Sequence, residues 1–223
     1  MGTGKGGFIL LICTGLLFLL LTQSAQAFSL PEYTSTFIAF TRSLNPMIPV
    51  LEAKKLAEYN WNVTDGNWQM ARRLAAMENV ESGHFKMAAW IEDKQPPKIM
   101  YPRYDALGSH IVLLAQESRK LGLLPKGVTN PYGDEMEPLL DKLAKDPAYG
   151  TWIIAHAYVR KARKVGLERA SRWWQTGKSW FKDRKDYQND SYLKMIHSSE
   201  QYFDKMKLGV PLTEAPNKSR RKR

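Results

Sequence analysis

The chain has 223 residues, a formal net charge of +11 and one cysteine. That length fits one domain with short appendages, and a chain this size can be stable through its core alone. One cysteine excludes an internal disulfide and any cysteine-rich metal site. The four histidines (His84, His110, His156 and His197) show no metal-ligand spacing and no HExxH, so no metal and no cofactor is expected.

The first 27 residues carry Lys5, an apolar run that holds Cys13, and the exit Ala25-Gln26-Ala27. This is the pattern of a secretory signal peptide cleaved after Ala27, with Phe28 as the mature start. The rival reading is an uncleaved anchor, against which the run is short and ends in small residues. Losing Lys5 brings +11 to +10. An exported basic protein calls for an anionic partner in the envelope. The last residues, NKSRRKR, hold five of the cations and read as a disordered basic tail over 208–223. No aromatic-interleaved basic motif is present, so nucleic acid is not an expected partner.

Strand signals are nearly absent and helical periodicity is common, so the expected class is all-α. Residues 28–65 read as a lead-in with a short helix, IPVLEAKKLAEYN, and NVTDGN as its exit turn. A helix follows over 66–82. Residues 91–107 hold three prolines and read as a loop. SHIVLLAQESRKLG is a helix with Ser109 as N-cap and Gly122 as stop. Further helices are expected in DEMEPLLDKLAK, TWIIAHAYVRKARKVG, LERASRWWQTG and NDSYLKMIHSSEQYFDKMK. The expected compact domain runs over 66–207.

On a helical wheel Met70, Leu74, Met77 and Glu81 form one stripe, with Glu78 off it. A carboxyl held against apolar groups stays protonated to higher pH and can serve as a general acid. Glu81 is therefore the candidate. The alternative is an exposed helix-end acid with the stripe stopping at Met77.

The segment ESGHFKMAAW resembles the catalytic segment of the soluble lytic transglycosylases, the goose-lysozyme-like enzymes that cut peptidoglycan. Glu81, Ser82, Phe85 and Ala88 take the matching positions. LGSHIVLLAQESRKLGLL is similar to the family's next helix. Asp146-Pro147, Tyr158-Val159, and Ala170, Trp174, Gln175 and Gly177 follow the later motifs in order. The resemblance spans about 66–200 and implies a lysozyme-like helical domain. It implies Glu81 as the acid/base that cleaves the MurNAc–GlcNAc β-1,4 bond and closes a 1,6-anhydro ring, with no second carboxylate required. Ser82, Phe85, His110, Trp174 and Gln175 are the substrate-binding candidates along the matched segments, and Tyr104, from the loop 91–107 that the family lacks, joins them. Glycan strands of peptidoglycan would be the partner, and a secretion or conjugation apparatus a possible host in the periplasm.

Two departures stand against the family pattern. Trp174-Gln175 replaces Tyr-Asn, so the tyrosine hydroxyl that would meet the glutamate is missing there, and Gly108-Ser109-His110-Ile111 lacks the expected glutamine. The extra loop either caps a glycan groove through Trp90, Tyr101 and Tyr104 or is an ordinary surface loop. Trp173 and Trp174 read either as core or as a sugar platform, and Tyr158 as core. Three functions therefore compete: an active enzyme, a degenerate glycan-binding or structural domain of the same fold, and an unrelated helical envelope protein.

Overall fold

The computed structural model describes residues 28–87, 104–125, 127–180 and 184–207. The signal segment, the tail, and Trp90 and Tyr101 of the proline-rich loop lie outside the described residues. The described chain is all-helical. In order it forms α1 Leu30–Leu44, α2 Val50–Val63, α3 Trp68–Ser82 and α4 Ile111–Lys120. A 3-10 turn, Asp134–Met136, leads into α5 Glu137–Lys145, α6 Pro147–Val165, α7 Leu167–Thr176, α8 Arg184–Asn189 and α9 Ser191–Lys207. Among the described residues no helix is long and apolar enough to cross a membrane.

The segment expected as a lead-in contributes two helices to the core. Ser29 and Glu32 form a reciprocal capping box: the Ser29 hydroxyl accepts from the Glu32 amide, and the Glu32 carboxylate accepts from the Ser29 amide at 3.0 Å. Pro31 adds a preset φ in the first turn. Tyr33, Phe37 and Phe40 then repeat at helical spacing on one face, and all three are fully buried. They meet Phe203 of α9 and Phe85 in largely tilted and edge-on contacts, with Phe40 and Phe203 centroids 5.2 Å apart.

Helix α3 lies between two apolar clusters. Leu74 and Met77 belong to one, with Leu107, Leu114, Ile153, Ile154 and Ile196. Ala71 and Ala75 face the other, with Phe37, Phe40, Leu56 and Phe203. It packs against α9, α2 and α1, and α6 packs against α2, α4, α5 and α7. A helix buried on two faces needs small residues where a neighbour comes close, which the alanines supply.

Helix α6 begins at Pro147, four residues before the expected Thr151, because Asp146 caps it by accepting from the Tyr149 amide. The early turn brings Gly150 under the segment 104–107. A Cβ on Gly150 would stand 1.8 Å from the Tyr104 carbonyl oxygen, so only glycine fits. The Thr151 hydroxyl accepts from the Ala106 amide at 2.8 Å and fixes the same approach. Gly150→Ala must push this segment off α6. We expect a loss of about 3 kcal/mol, the upper part of the usual overpacking range, in a urea titration, against little change for Gly127→Ala, where nothing lies within reach.

Candidate active site around Glu81

The wheel assigned the wrong carboxylate to the interior. Glu78 is completely buried and Glu81 is partly exposed. The reason is that α3 is enclosed on two sides, so the face off the Met70–Leu74–Met77 stripe also meets protein. Burial holds the Glu78 carboxyl well above its ordinary range; the Asn60 amide, donating to Oε2 at 3.0 Å, opposes this weakly and the nearby Asp105 adds to it. Asp105 is itself buried and pushed up by burial, with the Ser109 hydroxyl donating to it at 2.6 Å. Glu78 is therefore a buried structural acid, its carboxyl biased toward the protonated form.

Two groups meet Glu81, and a third holds the backbone next to one of them. The Tyr192 hydroxyl, from the first turn of α9, donates to Oε1. Gly108 lies against the other oxygen: a Cβ there would stand 3.4 Å from Oε2. Its φ of +64° belongs to the left-handed region, so the backbone there selects glycine. Trp174 stands beside the same segment, its indole N–H donating to the Leu107 carbonyl at 3.1 Å. Burial, then the Glu81 charge, pushes the Tyr192 hydroxyl far above its ordinary value, so it remains a donor at any physiological pH.

The end of α3 is unusual. Gly83, His84 and Phe85 follow one another at φ +63°, +71° and +57°. Two of them carry side chains that disfavour this region, at a cost of roughly 1–2 kcal/mol each. Side chains offset that cost. The Ser82 hydroxyl donates to the Glu78 carbonyl at 2.5 Å and accepts from the Phe85 amide at 2.7 Å. The His84 ring bonds the Asn79 amide oxygen at 2.9 Å, and Asn45 donates to the Phe85 carbonyl at 2.9 Å. The consequence is a sharp reversal directly after Glu81.

The sequence-derived site residues divide accordingly. Glu81, Trp174 and the 107–108 segment come together. Ser82 and Phe85 are buried, and the structure gives them the turn and the aromatic core in place of substrate contact. His110, not Ser109, is the N-cap of α4, its ring accepting from the Val112 amide at 3.3 Å; Ser109 is turned to Asp105 instead. Gln175 is exposed at the end of α7. Tyr104 is half-buried against the core over α6. Tyr158 is fully buried and shares a hydrogen bond with Ser171 at 3.1 Å. Tyr192 was missed because it lies 111 residues from Glu81 and no local pattern joins them. Among the described residues, no cluster of His, Cys, Asp and Glu could hold a metal ion.

Chemically, the arrangement offers one carboxylate with one oxygen held by a phenol and the other in contact with Gly108. That is a group able to give and to take a proton. No family model matches the chain, and no curated protein or solved structure matches it either.

The raised Glu78 carboxyl has a consequence for stability. Folded Glu78 holds its proton at pH values where the unfolded side chain, with its ordinary value near 4.5, has lost it. Its contribution is present at low pH and is lost as pH rises from that value toward the folded one. Glu78→Gln removes this slope. We expect the variant to gain on the parent as pH rises from the unfolded value in parallel urea titrations, and a difference that does not change with pH would contradict the assignment.

Proposed function

We propose that the protein is an exported peptidoglycan lytic transglycosylase with Glu81 as its acid/base. The observation that carries this reading is the partly exposed Glu81, received by the Tyr192 hydroxyl and set against Gly108. The family resemblance expects a tyrosine hydroxyl from the position of Trp174. Here α9 supplies a hydroxyl to the same carboxylate from a different place, and Trp174 holds the neighbouring backbone. The departure in the motif therefore has a structural compensation.

In the reaction, protonated Glu81 gives its proton to the oxygen joining MurNAc to GlcNAc. The C1–O bond breaks, and the leaving GlcNAc carries that proton as a hydroxyl. The substrate's own N-acetyl oxygen supports the positive charge at C1, as in substrate-assisted glycosidases. Glu81, now a carboxylate, takes the proton of the C6 hydroxyl as O6 bonds to C1, which restores the acid and closes the 1,6-anhydro ring. Tyr192 steadies the carboxylate form. The signal-like residues 1–27 and the basic charge support an envelope location and an anionic wall as partner. Local wall opening for a conjugation or secretion machine is the role this family analogy favours.

A second reading is a domain of the same fold that binds glycan or serves such a machine structurally without cutting. The exposed Gln175 where the family places asparagine, and the tryptophan beside it, favour it.

The test is digestion of sacculi by residues 28–223, with soluble products read by mass spectrometry. We expect anhydromuropeptides from the parent and a loss of at least about 100-fold for Glu81→Gln. Tyr192→Phe, which removes one hydrogen bond to a charged group, should lose about tenfold or more while keeping its melting temperature within a few degrees. Reducing-end products would mean a hydrolytic muramidase. Intact glycan bound by a protein that never cleaves it would decide for the second reading.

A further inference from the structure

The corner between α1 and α2 turns apolar side chains outward. Met47, Val50 and Leu51 are 45%, 47% and 64% exposed, and Pro46 and Pro49 are exposed beside them. Of residues 46–51 only Ile48 is buried, in the cluster that holds Phe85 and Met87. Exposed apolar residues scattered singly are ordinary, but a contiguous set at one corner marks a contact surface.

The corner is held by one buried side chain. The Asn45 amide oxygen accepts from the Met47 amide at 3.1 Å, and its nitrogen donates to the Phe85 carbonyl at 2.9 Å. The Ile48 amide donates to the Asn45 carbonyl at 3.3 Å, and the prolines at 46 and 49 have no N–H. Residues 46–49 therefore present no free backbone donor, and can enter an apolar layer without stranding one. The bond to Phe85 also sets the corner beside the turn that follows α3, where Lys86 is exposed.

The charges around the corner have one sign. Arg42 is exposed in the last turn of α1. Lys54 lies one turn after Val50 and Leu51 on the same face of α2; it is 54% exposed, with Glu58 at 3.7 Å. Within 33–51 and 82–87 the only full charges are Arg42 and Lys86. Helix α2 opens on Pro49 with no side-chain cap, so no capping oxygen meets the positive end of its dipole. Three elements thus set cations around an apolar point. A few side chains at one corner fall short of the roughly 800 Å² per partner that a stable protein interface buries. An anionic bilayer offers what they do match, a phosphate layer over hydrocarbon. We infer that the α1–α2 corner is a docking point for an anionic phospholipid membrane, with Met47, Val50 and Leu51 entering the lipid and Arg42, Lys54 and Lys86 meeting the headgroups. The inference goes beyond the reading of Glu81 and does not depend on it.

The test is co-sedimentation of residues 28–223 with vesicles of phosphatidylcholine, alone or mixed with phosphatidylglycerol. The parent should bind the mixed vesicles, and added salt should weaken that binding. The double variant Met47→Ser, Leu51→Ser keeps every charge, the basic tail included, so electrostatic attraction alone would leave it unaffected. It should lose about tenfold or more in binding, with a level melting temperature because both side chains are exposed. Lys86→Gln should lose several-fold. Lys164→Gln, an equal change of charge, should lose little: its neighbour Arg163 holds Asp65 just past the far end of α2, about 20 Å along the helix from the corner. Lipid-free sacculi should be treated alike by the parent and the double variant, which separates this inference from the reading of Glu81. Unchanged vesicle binding by the double variant overturns the docking point, as does a parent that binds no vesicles. Equal losses for Lys86→Gln and Lys164→Gln overturn it too, by reducing the contact to net charge. A parent that is dimeric and a double variant that is monomeric would give the corner to a second copy of the chain and overturn the membrane as its occupant.

Discussion

The arrangement depends on one buried cation. Arg73 sits two turns before Glu81 in α3 and is 3% exposed. Its guanidinium donates to Glu200 of α9 at 2.7 and 3.2 Å, to Glu168 of α7 at 2.8 Å and to Ser171 of α7 at 3.2 Å. Burial works against its charge, and the two carboxylates more than offset that, holding its pKa above the ordinary arginine value. An ion pair of this kind adds little net stability over a well-packed apolar contact, but removing one partner strands a charge and costs about 3–5 kcal/mol. Its effect is on register. The planar fork accepts only one placement of α7 and α9 relative to α3. Those are the helices that carry Trp174 and Tyr192, so the network that fixes the bundle also fixes what surrounds Glu81.

A second constraint acts from above. The segment 104–109 has no regular structure, yet it is tied at Gly150 and Thr151 of α6, at Trp174 of α7 and by Ser109 to its own Asp105. The Thr151 and Trp174 ties each take up a backbone group of the segment, the Ala106 amide and the Leu107 carbonyl. The result is that Gly108 is delivered to Glu81 by side chains from two other helices. Strain at Gly83–Phe85 does the complementary work below, turning the chain away and leaving the carboxylate at an edge.

Much of the helical pattern was legible in the sequence, because apolar residues at 3.6-residue spacing mark the buried faces of α4 to α7 and α9 directly. The errors have physical causes. Helix α1 was passed over as a lead-in although Ser29 and Glu32 spell its capping box and Tyr33, Phe37 and Phe40 its face. The short α8 has too few residues to show a period. Glu78 and Glu81 were exchanged because a wheel assumes one buried face, and α3 has two. Ser109 looked like a cap because serine caps helices well, but a buried Asp105 competed for its hydroxyl and won. Tyr192 carries no local signal at all: its role arises from α9 crossing α3, which only tertiary packing decides.

That crossing bears on how the two functional readings are to be weighed. A motif compares residues at equivalent places in the chain, whereas a proton-transfer site needs atoms at equivalent places in space. By the first measure Trp174-Gln175 is a lost hydroxyl and argues for a degenerate domain. By the second, a hydroxyl stands on the glutamate, donated from a helix that the motif does not include. If Glu81 had no catalytic duty, a buried phenol aimed at a partly exposed carboxylate would be an indifferent arrangement, since water could satisfy that oxygen at little cost. The active reading therefore draws its support from Tyr192, and not from the motif that first drew attention to Glu81.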